Sequence, residues 1–221
     1  MRYIVVDLEM NRMDKKYKEE RQICNMEIIE IGAVMLDDSF REIAHYKTYV
    51  KPQFSESIGA FYEKLTGITT AMVEDAPVFE DAIRDFLAWF KADGTEVQIC
   101  TWSDTDYSQV AHEMKLKNYE PTKEEEEVLR DWYDFQKEYG EVVGFSKAVS
   151  LENALLYAGV DFQGRQHDAL VDARNTAELL LIVRDESKRE KALGKAIEAM
   201  QEKEMGTSLG EMFDFSAFLA N

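Results

Sequence analysis

Three groups of residues in this chain could do chemistry together. The first is Asp7 and Glu9 in YIVVDLEMN, residues 3 to 11, where an apolar, β-branched run that reads as a buried strand ends in two acids one residue apart. Side chains two apart on a strand point to the same side, so both carboxylates project together from its carboxyl end. Carboxylates avoid a protein interior unless something neutralises them, and their oxygens suit hard divalent cations. A strand end that simply reaches solvent is the plainer explanation. The second group, Asp104 and Asp106 in SDTD, follows another short apolar run. Acids at the ends of two strands can meet where a sheet releases its loops, although Asp104 is expected to cap the next helix or sit in a turn. The third group is HDALVD, His167 to Asp172. If a helix begins near Asp168, His167 lies on the loop leading in and Asp172 lies one turn inside, a fixed acid beside an adjustable imidazole. The plainer alternatives are a surface histidine, and a helical surface acid paired with Arg165, Arg174 or nothing.

The elements that must position these groups follow from hydrophobic periodicity. Residues 3 to 8 and 26 to 36 read as strands covered on both faces. A third run, 42 to 50, follows the turn residues Asp37, Asp38 and Ser39, so the second and third strands form a hairpin. Phe79, Ala82, Ile83, Phe86, Leu87 and Phe90 recur at offsets of three and four, the stripe of an amphipathic helix, with Pro77 near its start and Gly94 past its end. EVQICTW, 96 to 102, is a fourth strand, YSQVAHEMKLKN a short helix, and WYDF the place of a fifth strand. SLENALLYAG reads as a helix with Ser150 as N-cap and Gly159 as its stop. A strong helical run follows HD, and residues 187 to 203 continue as a charged helix. The tail keeps Leu209, Met212, Phe213, Phe218 and Leu219, and is expected to dock on the domain. Strands joined by short links and then separated by helices indicate a mixed α/β sheet with helices on its faces.

Composition narrows the function classes. With 221 residues and 45% hydrophobic content the chain is long enough for one domain with a substantial core. The balance of 26 Lys plus Arg against 44 Asp plus Glu leaves a net charge of −18, which argues against gripping long duplexes by their phosphates but not against acting on one chain end. Residues 120 to 141 hold nine acids against three bases, the pattern of a solvated face. Against this background Arg12, Lys15, Lys16, Lys18 and Arg21 make residues 12 to 21 locally basic beside the first acids. That loop could guide a polyanionic strand, or simply be solvated. Cys24 and Cys100 have no paired spacing and read as free thiols. No membrane span or signal segment is evident, so the expected location is cytoplasmic. Nothing in these patterns sets an oligomeric state.

Taken in order, D-x-E, a later Asp after a strand, and H-x-x-x-x-D opening a late helix resemble the DEDDh exonucleases, a 3′-to-5′ nuclease superfamily with an RNase H-like fold. The resemblance runs from about residue 3 to residue 184. VVDLEMN looks like the first motif, TWSDTD the second and GRQHDALVDARNTAELL the third, while KLTGIT at 64 to 69 is similar to the segment between the first two. The details are most similar to the branch that trims histone messenger RNA, small RNA and ribosomal RNA ends. DLEM is also similar to oligoribonuclease.

The resemblance implies an RNase H-like mixed five-stranded sheet flanked by helices and an exonuclease domain over 1–186; the carboxyl-terminal segment lies outside the resemblance, and its helical pattern and apolar tail make 187–221 an expected helical extension packed on that domain. It implies that Asp7, Glu9, Asp106 and Asp172 hold two divalent cations, Mg²⁺ or Mn²⁺, and that His167 is the general base. Such a pair, about 3.5–4 Å apart, makes a strong nucleophile at neutral pH and a sink for charge on the leaving oxygen. An imidazole, with its ordinary pKa of about 6.5, suits taking a proton from the attacking water. The backbone around Glu9 and Met10 is expected to meet the terminal ribose, with Met10 and Leu65 as candidates for an apolar wedge between bases, and Lys15 and Lys16 as guides for the strand. The expected substrate is a single-stranded 3′ end, RNA favoured, and the product a nucleoside monophosphate. A proofreading-type DNA exonuclease and a catalytically silent acidic binding module are the alternatives.

Overall fold

A computed structural model describes residues 1–91 and 94–212, with side chains to residue 200. The architecture is the expected mixed α/β sheet. Strand β1 (Arg2–Arg12) pairs antiparallel with β2 (Met26–Leu36) after a loop that includes the short helix α1 (Glu20–Ile23). Strand β2 turns directly into the antiparallel edge strand β3 (Glu42–Tyr49). Helices α2 (Ala60–Thr66), α3 (Thr70–Val73) and α4 (Phe79–Lys91) follow, and then β4 (Val97–Thr101) lies parallel to the other side of β1. Helices α5 (Asp104–Leu116) and α6 (Lys123–Leu129) precede the two-residue strand β5 (Tyr133–Asp134), which completes the order β3-β2-β1-β4-β5. Helices α7 (Phe135–Val143), α8 (Leu151–Tyr157), α9 (Ala169–Arg184) and α10 (Glu186–Met212) finish the described chain. Among the described residues no helix is long and apolar enough to cross a membrane.

The central strands are apolar at nearly every position because they are covered twice. Ile4, Val6 and Leu8 of β1 and Ile31, Ala33 and Met35 of β2 pack with Phe79, Ile83, Phe86, Leu87 and Phe90 of α4. Val5, Val34, Leu36 and Cys100 face the other way and pack with Leu179, Leu180 and Val183 of α9 and with Tyr139 and Leu155. One parity of each strand therefore serves each layer.

The structure departs from the local pattern in several places. Strand β1 runs on to Arg12, so Asp7 and Glu9 lie within it and not at its carboxyl end. Helix α5 begins three residues earlier than its apolar pattern suggested, because Ser103 is its N-cap and accepts from Thr105 N at 3.4 Å. Asp104 therefore does not cap it. Strand β5 is much shorter than WYDF, since Asp134 turns the chain at once into α7 by capping Lys137 N. Helices α6 and α7 give the acidic stretch a structure that charge pattern alone hid. Its Glu125 closes a capping box with Thr122, and Glu138 accepts from Arg184 at 2.9 Å. Helix α10 follows α9 with only Asp185 between, and Leu193, Ala196, Ile197 and Met200 pack into the α9-side core. The tail residues Phe213, Phe218 and Leu219, and the side chains of Leu209 and Met212, lie outside the described residues.

One glycine decides how closely α9 approaches the sheet. A Cβ at Gly32 would lie 2.1 Å from Leu170 N and 2.2 Å from the Ala169 carbonyl carbon. No rotamer change can relieve a clash with backbone. Gly32→Ala is therefore expected to cost about 1–3 kcal/mol by overpacking, whereas Gly194→Ala, with nothing within 4 Å, should be neutral or stabilising in the same urea titration.

Candidate active site

Strand register carries the acids to one side of the sheet. Asp7 lies opposite Gly32, and Glu9 opposite Glu30, in the antiparallel β1–β2 pair. Gly32 in turn lies opposite Lys47 on β3. Cross-strand partners share a face, and at Gly32 that face meets the first turn of α9. Asp7, Glu9, Glu30 and Lys47 therefore lie beneath the amino terminus of α9.

Helix α5 delivers the next acid. The ladder between β1 and β4 runs only to Val6 and Thr101, and beyond it the Leu8 N–H is taken by Asp106 Oδ1 at 3.2 Å. Asp106 thus continues the sheet's hydrogen bonding with a side chain and sits buried at the carboxyl end of the parallel pair.

Helix α9 delivers the last group. Its N-cap is Asp168, whose Oδ1 accepts from Val171 N at 3.3 Å. Glu30 Oε2 accepts the Ala169 N–H at 2.9 Å, and Asp172 Oδ2 accepts the His167 N–H at 3.1 Å. His167 itself is exposed and adopts a left-handed backbone, φ 61°, a conformation uncommon outside glycine. Glu9, His167 and Asp172 each offer a ligand atom, all within 4.8 Å of one another. Asp172 Oδ1 is buried without a protein partner.

Charge shows that all four acids of the proposed set share one neighbourhood. Burial raises the Asp7 carboxyl well above its usual range, and Asp106, Asp172, Glu9 and Glu30 push it further. Glu9 is pushed up to about 8 by burial, then by Asp172, Glu30, Asp106 and Asp168. Burial raises Asp106 to about 7 against the pull of the Leu8 amide. Asp172 rises to about 6, again mainly through burial. Gathered carboxylates either bind protons or bind cations. Oxygen donors, one imidazole and an orphaned buried carboxylate oxygen on Asp172 make a donor set that fits a divalent metal ion.

The other expected residues are placed less centrally. Met10, just past a register shift after Glu9, is half-buried and packs against the α4-side core. Leu65 is half-buried on α2, and its carbonyl oxygen accepts from Arg165 Nη2 at 3.2 Å, which ties α2 to the loop carrying His167. Lys16 is paired with Glu56 and lies over the Tyr17 ring. Lys15 is exposed. Neither arginine considered for Asp172 pairs with it: Arg165 reaches Leu65, and Arg174 forms two bonds to Glu42. Sequence reasoning passed over Glu30, Gly32 and Lys47. The signal available was an acid and a glycine inside an apolar strand, MEIIEIGAVML, neither of which belongs there without a reason.

The RNase_T family profile, described as exonuclease, matches residues 4–180. This chain belongs to that exonuclease family. As the motifs implied, its place is in the DEDDh superfamily with an RNase H-like fold. ERI1 exoribonuclease 2 of Danio rerio is 33% identical over 178 residues, covering 72% of this chain and 31% of that protein. The 3′-5′ exoribonuclease 1 of Homo sapiens is 26% identical over 162 residues, 69% of this chain and 45% of its own. The chain thus spans less than half the length of these two curated relatives. The nuclease domain of 3′hExo, a DEDDh family member bound to rAMP, superposes with a TM-score of 0.69 at 23% identity, covering 85% of this chain and 94% of that one.

The raised carboxyls make the stability of the metal-free protein depend on pH. Their folded pKa values exceed the unfolded values near 4, so the metal-free fold binds the extra protons and loses stability as pH rises from about 4 through about 8. In EDTA the thermal midpoint should fall from pH 5 to pH 8. The rise on adding Mn²⁺ or Mg²⁺ should be larger at pH 8 than at pH 5, and a pH-independent rise would contradict the assignment.

Proposed function

We propose that this chain is a metal-dependent 3′-to-5′ exoribonuclease that hydrolyses the last phosphodiester of a single-stranded RNA, releasing a nucleoside monophosphate. The observation that carries this reading is the meeting of Asp7, Glu9, Asp106 and Asp172 beside His167, where burial raises every one of the four carboxyls. Two divalent cations, Mg²⁺ or Mn²⁺, held by those four acids would supply an activated water and a charge sink at the leaving 3′ oxygen. His167 takes the proton of the attacking water. Its loop position leaves the ring free to reorient, while its backbone stays tied to Asp172 through the N–H bond. Asp106 is held in place by the Leu8 amide, and Asp172 by the rigid first turn of α9.

RNA is favoured over DNA because the relatives that match across most of this chain are named exoribonucleases. Leu65 and Met10 remain candidates for contacts to the last bases. The exposed Phe61, on the same helix as Leu65, adds an aromatic surface on which a base could stack. A cytoplasmic location accords with two free, buried thiols.

Two measurements test this. RNA and DNA oligonucleotides of one sequence, labelled at the 5′ end, are incubated with Mn²⁺, Mg²⁺ or EDTA. Stepwise shortening of RNA that EDTA abolishes is expected; intact RNA in both metals overturns the reading, and faster loss of DNA reassigns the substrate. His167→Ala should lower kcat by about 100-fold or more yet retain the metal-induced rise in thermal midpoint. Separately, Lys15→Gln should raise KM about twofold to threefold with kcat unchanged and flatten the dependence of KM on salt, as initial rates at several salt concentrations will show.

A further inference from the structure

More acids gather beneath α9 than a two-cation site needs. Glu30 and Asp168 lie close enough to raise Glu9, alongside Asp106 and Asp172. Six carboxylates therefore share one region. What distinguishes Glu30 and Asp168 from the other four is their partner. Lys47 Nζ lies 3.1 Å from Glu30 Oε1 and 2.7 Å from Asp168 Oδ2. The remaining oxygen of each of these two acids accepts a helix amide, Ala169 N–H for Glu30 and Val171 N–H for Asp168. Both oxygens of both acids are thus engaged, whereas Asp172 Oδ1 is buried with no partner. Among the described residues Lys47 is the cation that bridges two members of this group.

The sheet makes the bridge possible. Lys47 lies on β3 directly opposite Gly32, and the missing side chain at Gly32 leaves the space between sheet and α9 that the first turn of the helix occupies. The Glu30 side chain is 2% exposed, so its charge is nearly cut off from water, while the Lys47 side chain is 29% exposed and reaches in from the sheet edge.

We propose that Lys47 is a positioning residue that sorts the six acids, engaging Glu30 and Asp168 as anchors for α9 and leaving Asp7, Glu9, Asp106 and Asp172 for the catalytic cations. Without it Glu30 becomes an uncompensated buried carboxylate beside Glu9 and Asp172, and it competes for cation as a fifth acidic ligand. A cation held that way is bound more tightly and placed less productively. The inference rests on the nuclease reading for its turnover measurement alone, since metal binding reads the sorting directly.

The test uses the full chain and four proteins: wild type, Lys47→Met, Lys47→Arg and the double variant Lys47→Met with Glu30→Gln. Mn²⁺ binding is followed by calorimetry, and turnover on a single-stranded RNA by initial rates. Lys47→Met should bind Mn²⁺ about threefold or more tightly, because a positive charge has left the site and an acid has been freed. Its kcat should fall about tenfold or more, as when the partners that orient metal ligands are lost, with KM little changed. Lys47→Arg should keep turnover much nearer to wild type. The double variant removes both charges, while the carboxamide oxygen that Glu30→Gln introduces can still accept the Ala169 N–H. It should therefore return Mn²⁺ affinity toward wild type and recover part of kcat. A lysine that merely braces the fold would instead weaken Mn²⁺ binding and gain nothing from Glu30→Gln. Unchanged or weaker Mn²⁺ binding in Lys47→Met, or losses that add in the double variant, overturns the proposal. If wild type itself leaves RNA intact the nuclease reading fails, while the calorimetric comparison still decides the role of Lys47.

Discussion

Mutual repulsion among carboxylates that the fold nonetheless holds together is the constraint on which the rest of this structure depends. Burial removes the water that would screen Asp7, Glu9, Asp106 and Asp172, and each one raises the cost of ionising its neighbours. A fold tolerates such an arrangement only if rigid elements impose it and protons or cations relieve it. Here a strand, the first turn of α5 and the first turn of α9 each bring their acid into the group from a different direction. None of these four acids sits on a loop, whereas His167 lies on the loop just before α9.

The two layers of core explain why that imposition holds. Alternate residues of β1 and β2 are locked to α4 on one face and α9 on the other, so neither helix can slide without opening a packed layer. Gly32 then sets the spacing. With any side chain there, α9 could not rest its first turn on the strand that carries Glu30. Hydrogen bonds from Ala169 to Glu30 and from Val171 to Asp168 use acids to satisfy amides that a helix start leaves unpaired. The same negative groups lie at the positive end of the helix dipole, which offsets part of their repulsion. Acids that bind the helix amides and acids of the proposed cation site thus coexist within one cluster, separated by what each is bonded to.

An acidic protein acting, as proposed, on a polyanion would have to limit how much of the strand it touches. The net charge of −18 is spread over solvated faces such as α6, while the segment with Lys15 and Lys16 lies beside the carboxyl end of β1. Glu56 already partners Lys16, so the local positive field is modest. That balance suits brief engagement of a chain end more than prolonged grip along it.

Local sequence determined which pieces would form and which acids were out of place. Continuous apolar runs and period-3.6 patterns marked the four longer strands and helices α4, α8 and α9, and an acid pair closing an apolar run announced unusual chemistry, because those signals depend only on residues near one another in the chain. Tertiary structure alone decided the rest. Nothing adjacent to Glu30 or Lys47 says that β2 and β3 set them beneath a helix far along the chain, or that Asp106 completes the sheet by bonding to Leu8. Strand β5 and the start of α5 are set by local caps, Asp134 on Lys137 N and Ser103 on Thr105 N, which the weak apolar pattern around them did not reveal. Electrostatic roles such as anchor or ligand belong to distances between remote residues, and those distances exist only once the chain has folded.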